Sequence, residues 1–252
     1  MILVLAGTRD GRDIVQKLTA CDYPVIASVV SNYGKQLLQE SAALMINDRP
    51  LPETSLKEFL LKQNVTTIVD ATHPYASHIS ETAMQLSREL ALQYIRYERP
   101  SVPLPDYGKF YRVTNYAEAA KQAVKLGNNI FLTTGSRNLA QFTTAEVLQG
   151  CHLIVRVLPE PAVITSCRDL GLAPSQIIAM QGPFSKELNK ELYKNYQAEV
   201  IITKNSGSIG GTDTKIAAAM ELDLPVIIID RPPIKYPCVV TSYEAIMAKL
   251  ER

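Results

Sequence analysis

Short runs of β-branched and aliphatic residues alternate with stretches whose apolar positions recur every three or four residues, from one end of the chain to the other. This is the sequence form of repeated βαβ units. A strand covered on both faces reads as a continuous apolar run, whereas a crossover helix shows one apolar stripe. In the first half the runs predict strands over Ile2–Ala6, Val25–Val30, Ala42–Ile46, Thr67–Ala71 and Tyr94–Arg96. Between the first two lies a predicted surface helix, Gly11–Ala20, with Ile14, Val15 and Leu18 on one face and Arg12, Asp13, Gln16 and Lys17 on the other. The second half predicts strands over Tyr111–Val113, Ile130–Thr134, Leu153–Val157, Ile177–Met180, Glu199–Thr203 and Val226–Ile229, and a closing helix over Ser242–Leu250 capped by Ser242. Pro100, Pro103 and Pro105 interrupt the pattern, remove backbone donors and stiffen the chain, so a domain boundary is expected there. The reading is an α/β chain of two wound domains, residues 1–100 and 101–252.

Composition narrows the function classes. The chain has 252 residues, 46% of them hydrophobic and 20% charged, which suits a soluble enzyme and gives no sign of disorder. A formal net charge of +1 provides no broad basic field, so nucleic acid is not expected as a partner. Cys21, Cys151, Cys167 and Cys238 form no CxxC pair and read as isolated core thiols in a reducing compartment. No leader or membrane-spanning run is legible, so a cytoplasmic protein is expected.

The candidate chemistry lies where predicted strands end. After the first, Gly7, Thr8, Arg9, Asp10, Gly11 and Arg12 form a glycine-bearing turn into a helix. Such a turn cradles phosphate on unpaired amides, and arginine forks match phosphate oxygens. Only two glycines of the three-glycine dinucleotide fingerprint are present, and Arg9 is read as standing at the middle one. The other reading of this loop is a tight strand-to-helix turn that binds nothing. After the fourth strand, Thr72, His73, Pro74 and Tyr75 crowd polar groups where Pro74 opens a predicted helix. His73 reads as shaping a nucleotide pocket together with Tyr75, with general acid catalysis as the alternative. A metal site from His73, His78 and Glu81 is not expected, because five residues along a helix separate two side chains by about 140°.

Three further segments follow in the second half. Thr134, Gly135, Ser136 and Arg137 offer hydroxyls and amides to an acidic ligand, or simply start a helix. Gln181, Gly182, Phe184 and Ser185 combine a glycine–proline turn with a helix cap at Ser185, and Gln181 and Phe184 are placed to line a substrate face. Lys204, Ser206 and Gly207 open a loop with three glycines before a helix that Thr212 or Asp213 is expected to cap. A partly desolvated Lys204 can hold a carboxylate or give up a proton, and the competing reading is a mobile solvent loop.

Taken in order, Leu5–Arg12, Asp70–Ala76, Arg96–Pro100, Thr133–Ser136, Gln181–Ser185 and Thr203–Gly207 with Gly210–Asp213 resemble the precorrin-6A reductase family of cobalamin biosynthesis, in its cobalt-free and cobalt-substrate branches. The resemblance covers essentially the whole chain. It implies two Rossmann-like wound parallel-sheet domains with a cleft between them, the first for NAD(P)H and the second for a corrin precursor. The implied reaction reduces one macrocycle double bond of precorrin-6A, or of its cobalt form, to the 6B product by hydride transfer. Transient contacts with neighbouring pathway enzymes are a further expectation.

A carboxylate-rich tetrapyrrole needs several donors, and Arg137, Arg156, Lys186 and Lys204 are available. Lys204, Tyr75 and bound water are the candidate proton donors. The second strand ends without an acid, at Ser31, Asn32 and Lys35, so NADPH is favoured over NADH. Two rival readings are a nucleotide-diphosphate-dependent transferase and a nucleotide-sensing two-domain protein.

Overall fold

The computed structural model describes residues 1–29, 32–38, 44–49, 51–99, 103–207 and 211–250. In chain order the elements are β1 (Ile2–Leu5), α1 (Arg9–Ala20), β2 (Val25–Ser28), α2 (Asn32–Gln36), β3 (Leu44–Asn47), α3 (Glu53–Lys62), β4 (Thr67–Asp70), α4 (Ser77–Glu89) and β5 (Gln93–Tyr97). Next come β6 (Phe110–Val113), α5 (Tyr116–Ala123), β7 (Asn129–Leu132), α6 (Ala140–Thr143), β8 (His152–Val157), α7 (Pro161–Asp169), β9 (Ile177–Ala179), α8 (Lys186–Asn195), β10 (Val200–Lys204), α9 (Thr212–Glu221) and β11 (Val226–Ile229). The chain closes with β12 (Val239–Val240) and α10 (Tyr243–Leu250). Each predicted strand overlaps one of these elements. The strand expected over Ala42–Ile46 is observed as β3, Leu44–Asn47, while Val30, Ala42 and Ala43 lie outside the described residues.

The chain divides into two compact units, Met1–Pro100 with Pro232–Arg252, and Ser101–Arg231. The expected second domain, 101–252, therefore loses its last segment to the first. The reason is backbone pairing: β12 lies parallel to β5, with Val239 opposite Arg96 and Val240 opposite Tyr97. Two valines are too short to announce a strand by periodicity.

Each unit is built on a six-stranded parallel sheet, ordered β12-β5-β4-β1-β2-β3 in the first and β6-β11-β10-β7-β8-β9 in the second. Read from β3, the first sheet has the doubly wound order 3-2-1-4-5-6, with β12 in sixth place. Read from β9, the second has the same order with β6 in sixth place. The strand that follows β5 along the chain thus completes the second sheet, and the strand that follows β11 completes the first. The two sheets exchange their last strands.

Apolar burial follows the two faces of each sheet. In the first unit Ile2, Val4 and Ala6 pack with Ile14, Val15 and Leu18 of α1 and Ile246 of α10, whereas Leu3 and Leu5 pack with Leu56 and Leu60 of α3 and Leu86 of α4. The alternation is the period of a strand covered on both sides. In the second unit Phe131, Ile154, Ile201 and Ile228 meet Tyr193 of α8 and Ile216 of α9. Of the four cysteines only Cys167 is buried, so the expectation of core thiols holds for that one alone. Ser242 caps α10 as expected, accepting from the Ala245 amide at 3.2 Å. Among the described residues no helix is long and apolar enough to cross a membrane.

Candidate active site

In a doubly wound sheet the strand order reverses at one point, and ligands bind outside the carboxyl ends of the strands that flank it. In the first unit those strands are β1 and β4, followed by Ala6–Thr8 and Ala71–Tyr75. In the second they are β7 and β10, followed by Thr133–Ser136 and Asn205–Gly207. Eleven of the site residues expected from the sequence fall on these four loops, whereas Arg9–Arg12 belong to α1, Arg156 to β8 and Lys204 to β10.

At the first edge, Thr8 is the N-cap of α1. Its hydroxyl accepts from the Gly11 amide at 3.0 Å and donates to the Ala71 carbonyl at 2.8 Å, tying the β1 loop to the β4 loop. A Cβ on Gly11 would stand 2.7 Å from the Ala6 Cα, so this glycine permits close packing of helix on strand. That is the part of the third fingerprint glycine, which sets the frame: Thr8, not Arg9, stands at the middle position. Arg9 instead points outward, its side chain 70% exposed. A Cβ on Gly7 would meet nothing within 4 Å, which leaves open space beside the helix start. Asp10 is buried, and burial raises its carboxyl against the opposing effect of Arg99, whose Nη2 lies 2.7 Å away.

The turn after β4 rests on a buried charge network. Asp70 Oδ1 accepts from Arg96 Nη1 at 2.8 Å, from the Thr72 amide at 3.0 Å and from the Thr72 hydroxyl at 2.7 Å, while Oδ2 accepts from the Tyr94 hydroxyl at 2.6 Å. Burial opposes the charge on Asp70, but Arg96 and the hydroxyls of Ser80, Tyr94 and Thr72 outweigh it and hold the carboxyl below its usual range. Arg96 also donates from Nε to Glu98 at 2.8 Å and lies 5.0 Å from the ring of Tyr236. Pro74 does not open a helix: it lies in a turn closed by the Ala76 amide on the His73 carbonyl at 2.8 Å, and α4 begins at Ser77. His73 Nδ1 accepts from the Tyr75 amide at 3.3 Å, and the two rings stand 5.6 Å apart. Ser31 lies outside the described residues, as does the side chain of Asn32. Lys35 is paired with Asp48 at 2.8 Å. Among the described residues no group of three His, Cys, Asp or Glu side chains is placed to hold a metal.

The second edge is rich in cations. Arg156, on β8, is 6% exposed; its Nη1 donates to Asn189 Oδ1 at 2.7 Å, whereas among the described residues its buried Nη2 has no hydrogen-bond partner. Its guanidinium lies 4.2 Å from the Phe184 ring, and burial lowers its pKa. Burial and then Arg137 push Lys204 down to about 8, and its Nζ lies 5.6 Å from the Tyr116 ring. Burial, Arg156 and Lys204 push Lys215 down to about 7 against the opposing effect of Asp213. Lys215 joins Arg156 and Lys204 as a candidate, one that the sequence pattern does not single out. Its one signal is a cation in the first turn of a helix, where the dipole disfavours it. The Thr134 hydroxyl is also buried without a partner.

Several local expectations change here. The helix after Gly135 is only α6, starting at Ala140, so Ser136 and Arg137 precede it in irregular backbone; Gly135 has φ +76°. Ser185 does cap α8, accepting from the Leu188 amide at 3.1 Å, and Gln181 and Gly182 precede it on the exposed surface. The cap of α9 is Gly211, with φ 65°, rather than Thr212 or Asp213; the Thr212 hydroxyl reaches back to the Lys204 carbonyl at 3.1 Å. Ser206 is buried 3.5 Å from the Thr212 hydroxyl, and Gly207 has φ +86°. Lys186 is not part of this cluster, because it joins Lys190 on Glu221.

Two parallel sheets of doubly wound order, each with polar loops at its reversal point, define an α/β protein of two doubly wound units. The family model described as "Precorrin-6x reductase CbiJ/CobK" matches residues 1–251, and the chain belongs to this family of oxidoreductases. A cobalt-precorrin-6A reductase of Priestia megaterium is 39% identical over 251 residues, covering 99% of this chain and 98% of the relative. One of Methanococcus maripaludis is 40% identical over 241 residues, covering 94% and 93%. The solved structure of CobK precorrin-6A reductase has a TM-score of 0.80 at 22% identity, covering 99% of this chain and 96% of that one, and shares its fold.

Proposed function

We propose that the chain reduces one macrocycle double bond of precorrin-6A, with or without cobalt, to the 6B product in cobalamin biosynthesis, using NADPH or NADH. The first unit holds the cofactor and the second the macrocycle. The observation that supports this reading is the gathering of cations at the second edge, where Arg156 is buried and, among the described residues, its Nη2 has no hydrogen-bond partner. Lys204 and Lys215 share that edge, pushed down to about 8 and about 7 by burial and by neighbouring cations. Cations crowded together and partly shielded from water gain from an anionic ligand, and a tetrapyrrole bearing several carboxylates supplies it.

The residues of the first edge fit a dinucleotide. The space at Gly7 and the amides at the start of α1 suit a pyrophosphate, and the His73–Tyr75 turn lies on the half of the sheet that takes the second mononucleotide. A bound reduced nicotinamide supplies the hydride. Val29–Gly34 contains no acid, and Asp48 is tied to Lys35, which suits a 2′-phosphate and favours NADPH.

In the second unit Arg156, Lys215, Arg137 and the loops at Thr134–Ser136 and Ser206–Gly207 anchor carboxylates, with Gln181, Gly182, Phe184 and Ser185 beside them. Lys204 donates the proton that accompanies the hydride, since its lowered pKa keeps donor and neutral base both accessible near neutrality. Tyr75 is the second choice. The test mixes purified protein with precorrin-6A or its cobalt form and each reduced cofactor. Loss of nicotinamide absorbance is expected, and no loss with any pairing would overturn the reading.

A further inference from the structure

The Asp70–Arg96 network is costly for its location. Asp70 and Arg96 are 0% and 1% exposed, and a buried ion pair is seldom worth more to stability than apolar side chains of the same volume. Its geometry suggests another use. Asp70 holds both the amide and the hydroxyl of Thr72, Arg96 Nη1 donates to the same Thr72 hydroxyl at 2.9 Å, and Thr8 grips the Ala71 carbonyl from the other side. The backbone entering the His73–Tyr75 turn is thus held at two successive residues, from β5 and from the β1 loop.

We propose that Asp70 and Arg96, with Tyr94 and Glu98 behind them, are positioning residues for the nicotinamide end of the cofactor. The inference rests on the cofactor reading given above. In the doubly wound order the β1–β3 half takes the adenosine end, so the β4–β5 half faces the other mononucleotide. A network centred on β4, β5 and the turn after β4 should therefore affect that end of the ligand far more than the other.

Calorimetry can separate the two ends, using whichever of NADPH and NADH the wild type binds, and the matching fragment without nicotinamide, 2′-phospho-ADP-ribose or ADP-ribose. Asp70→Asn should weaken the whole cofactor about tenfold and leave the fragment unchanged, because small displacements of a positioning group carry large penalties. Tyr94→Phe removes one donor to Asp70 while keeping the ring, and should show the same split at about threefold. Retained fragment binding also reports that the unit is folded. Equal loss of cofactor and fragment, or no loss of either in both variants, would overturn the positioning role alone. A wild type that binds neither cofactor would overturn the cofactor reading, and this inference with it.

Discussion

The carboxyl edges of the two sheets share one strand order but opposite electrostatics. At the first, every buried charge described has its counterpart: Asp70 with Arg96, Arg96 with Glu98, Asp10 with Arg99. At the second, Arg156 has a neutral partner in Asn189 and an idle Nη2, and two lysines are held below their ordinary pKa by burial and by neighbouring cations. The buried charges of the first edge meet countercharges within the protein, whereas buried Arg156 of the second meets a neutral amide. A common strand order is thus compatible with different charge environments at its carboxyl edge.

The strongest test removes one charge from each edge. Asp70→Ala leaves Arg96 with Glu98 as its remaining countercharge, and should cost about 3–5 kcal/mol of stability in chemical denaturation. Arg156→Met should cost less stability, about 1–3 kcal/mol for the donor lost to buried Asn189, but the macrocycle should bind tenfold to a hundredfold more weakly, the loss of about 1.5–3 kcal/mol expected for a hydrogen bond to a charged group. A large stability loss in Arg156→Met would show that the second edge is balanced after all.

The next contrast lies within the first edge. Gly11→Ala forces a Cβ against the Ala6 backbone and should cost about 1–3 kcal/mol in thermal unfolding, as overpacking does. Gly7→Val places its Cβ where nothing lies within 4 Å, so it should cost far less stability than Gly11→Ala and abolish cofactor binding. If both variants merely unfold, the space at Gly7 is not a ligand space.

The smallest effects are those of pH. Lys204 and Lys215 have folded pKa values of about 8 and about 7, below the ordinary 10.5, so the unfolded chain binds more protons between these limits. Stability without ligand should then rise from about pH 7 towards pH 10, while macrocycle affinity falls over the same range as the cations are lost. Asp70, with a lowered folded pKa, contributes stability that disappears only on acidification through its folded value. Thermal scans of wild type and Lys215→Met across this range check the sign: the variant should lose part of the alkaline rise.

Much of this is legible in the residues. Apolar runs locate the strands, Val226–Ile229 to the residue, because a strand buried on both faces must be apolar throughout. The glycine and hydroxyl clusters mark the loops at the reversal points, and Arg156 and Lys204 are identifiable as candidate anchors. The frame of the first loop is not: Gly11 packs against Ala6, a contact between helix and strand that glycine spacing alone leaves ambiguous. Lys215 escapes the same reading because the cations that help to lower its pKa, Arg156 and Lys204, come from β8 and β10.

Local periodicity, turn chemistry and residue identity suffice for the fold class, the positions of the elements, the loops that carry chemistry and, through six short segments, the family. They do not suffice for the exchange of β6 and β12 between sheets, the meeting of Asp70 with Arg96, or the difference in charge balance between the two edges. Those three belong to the folded chain. Each depends on which strands lie side by side, and pairing between distant strands leaves no signature in a two-residue run such as Val239–Val240.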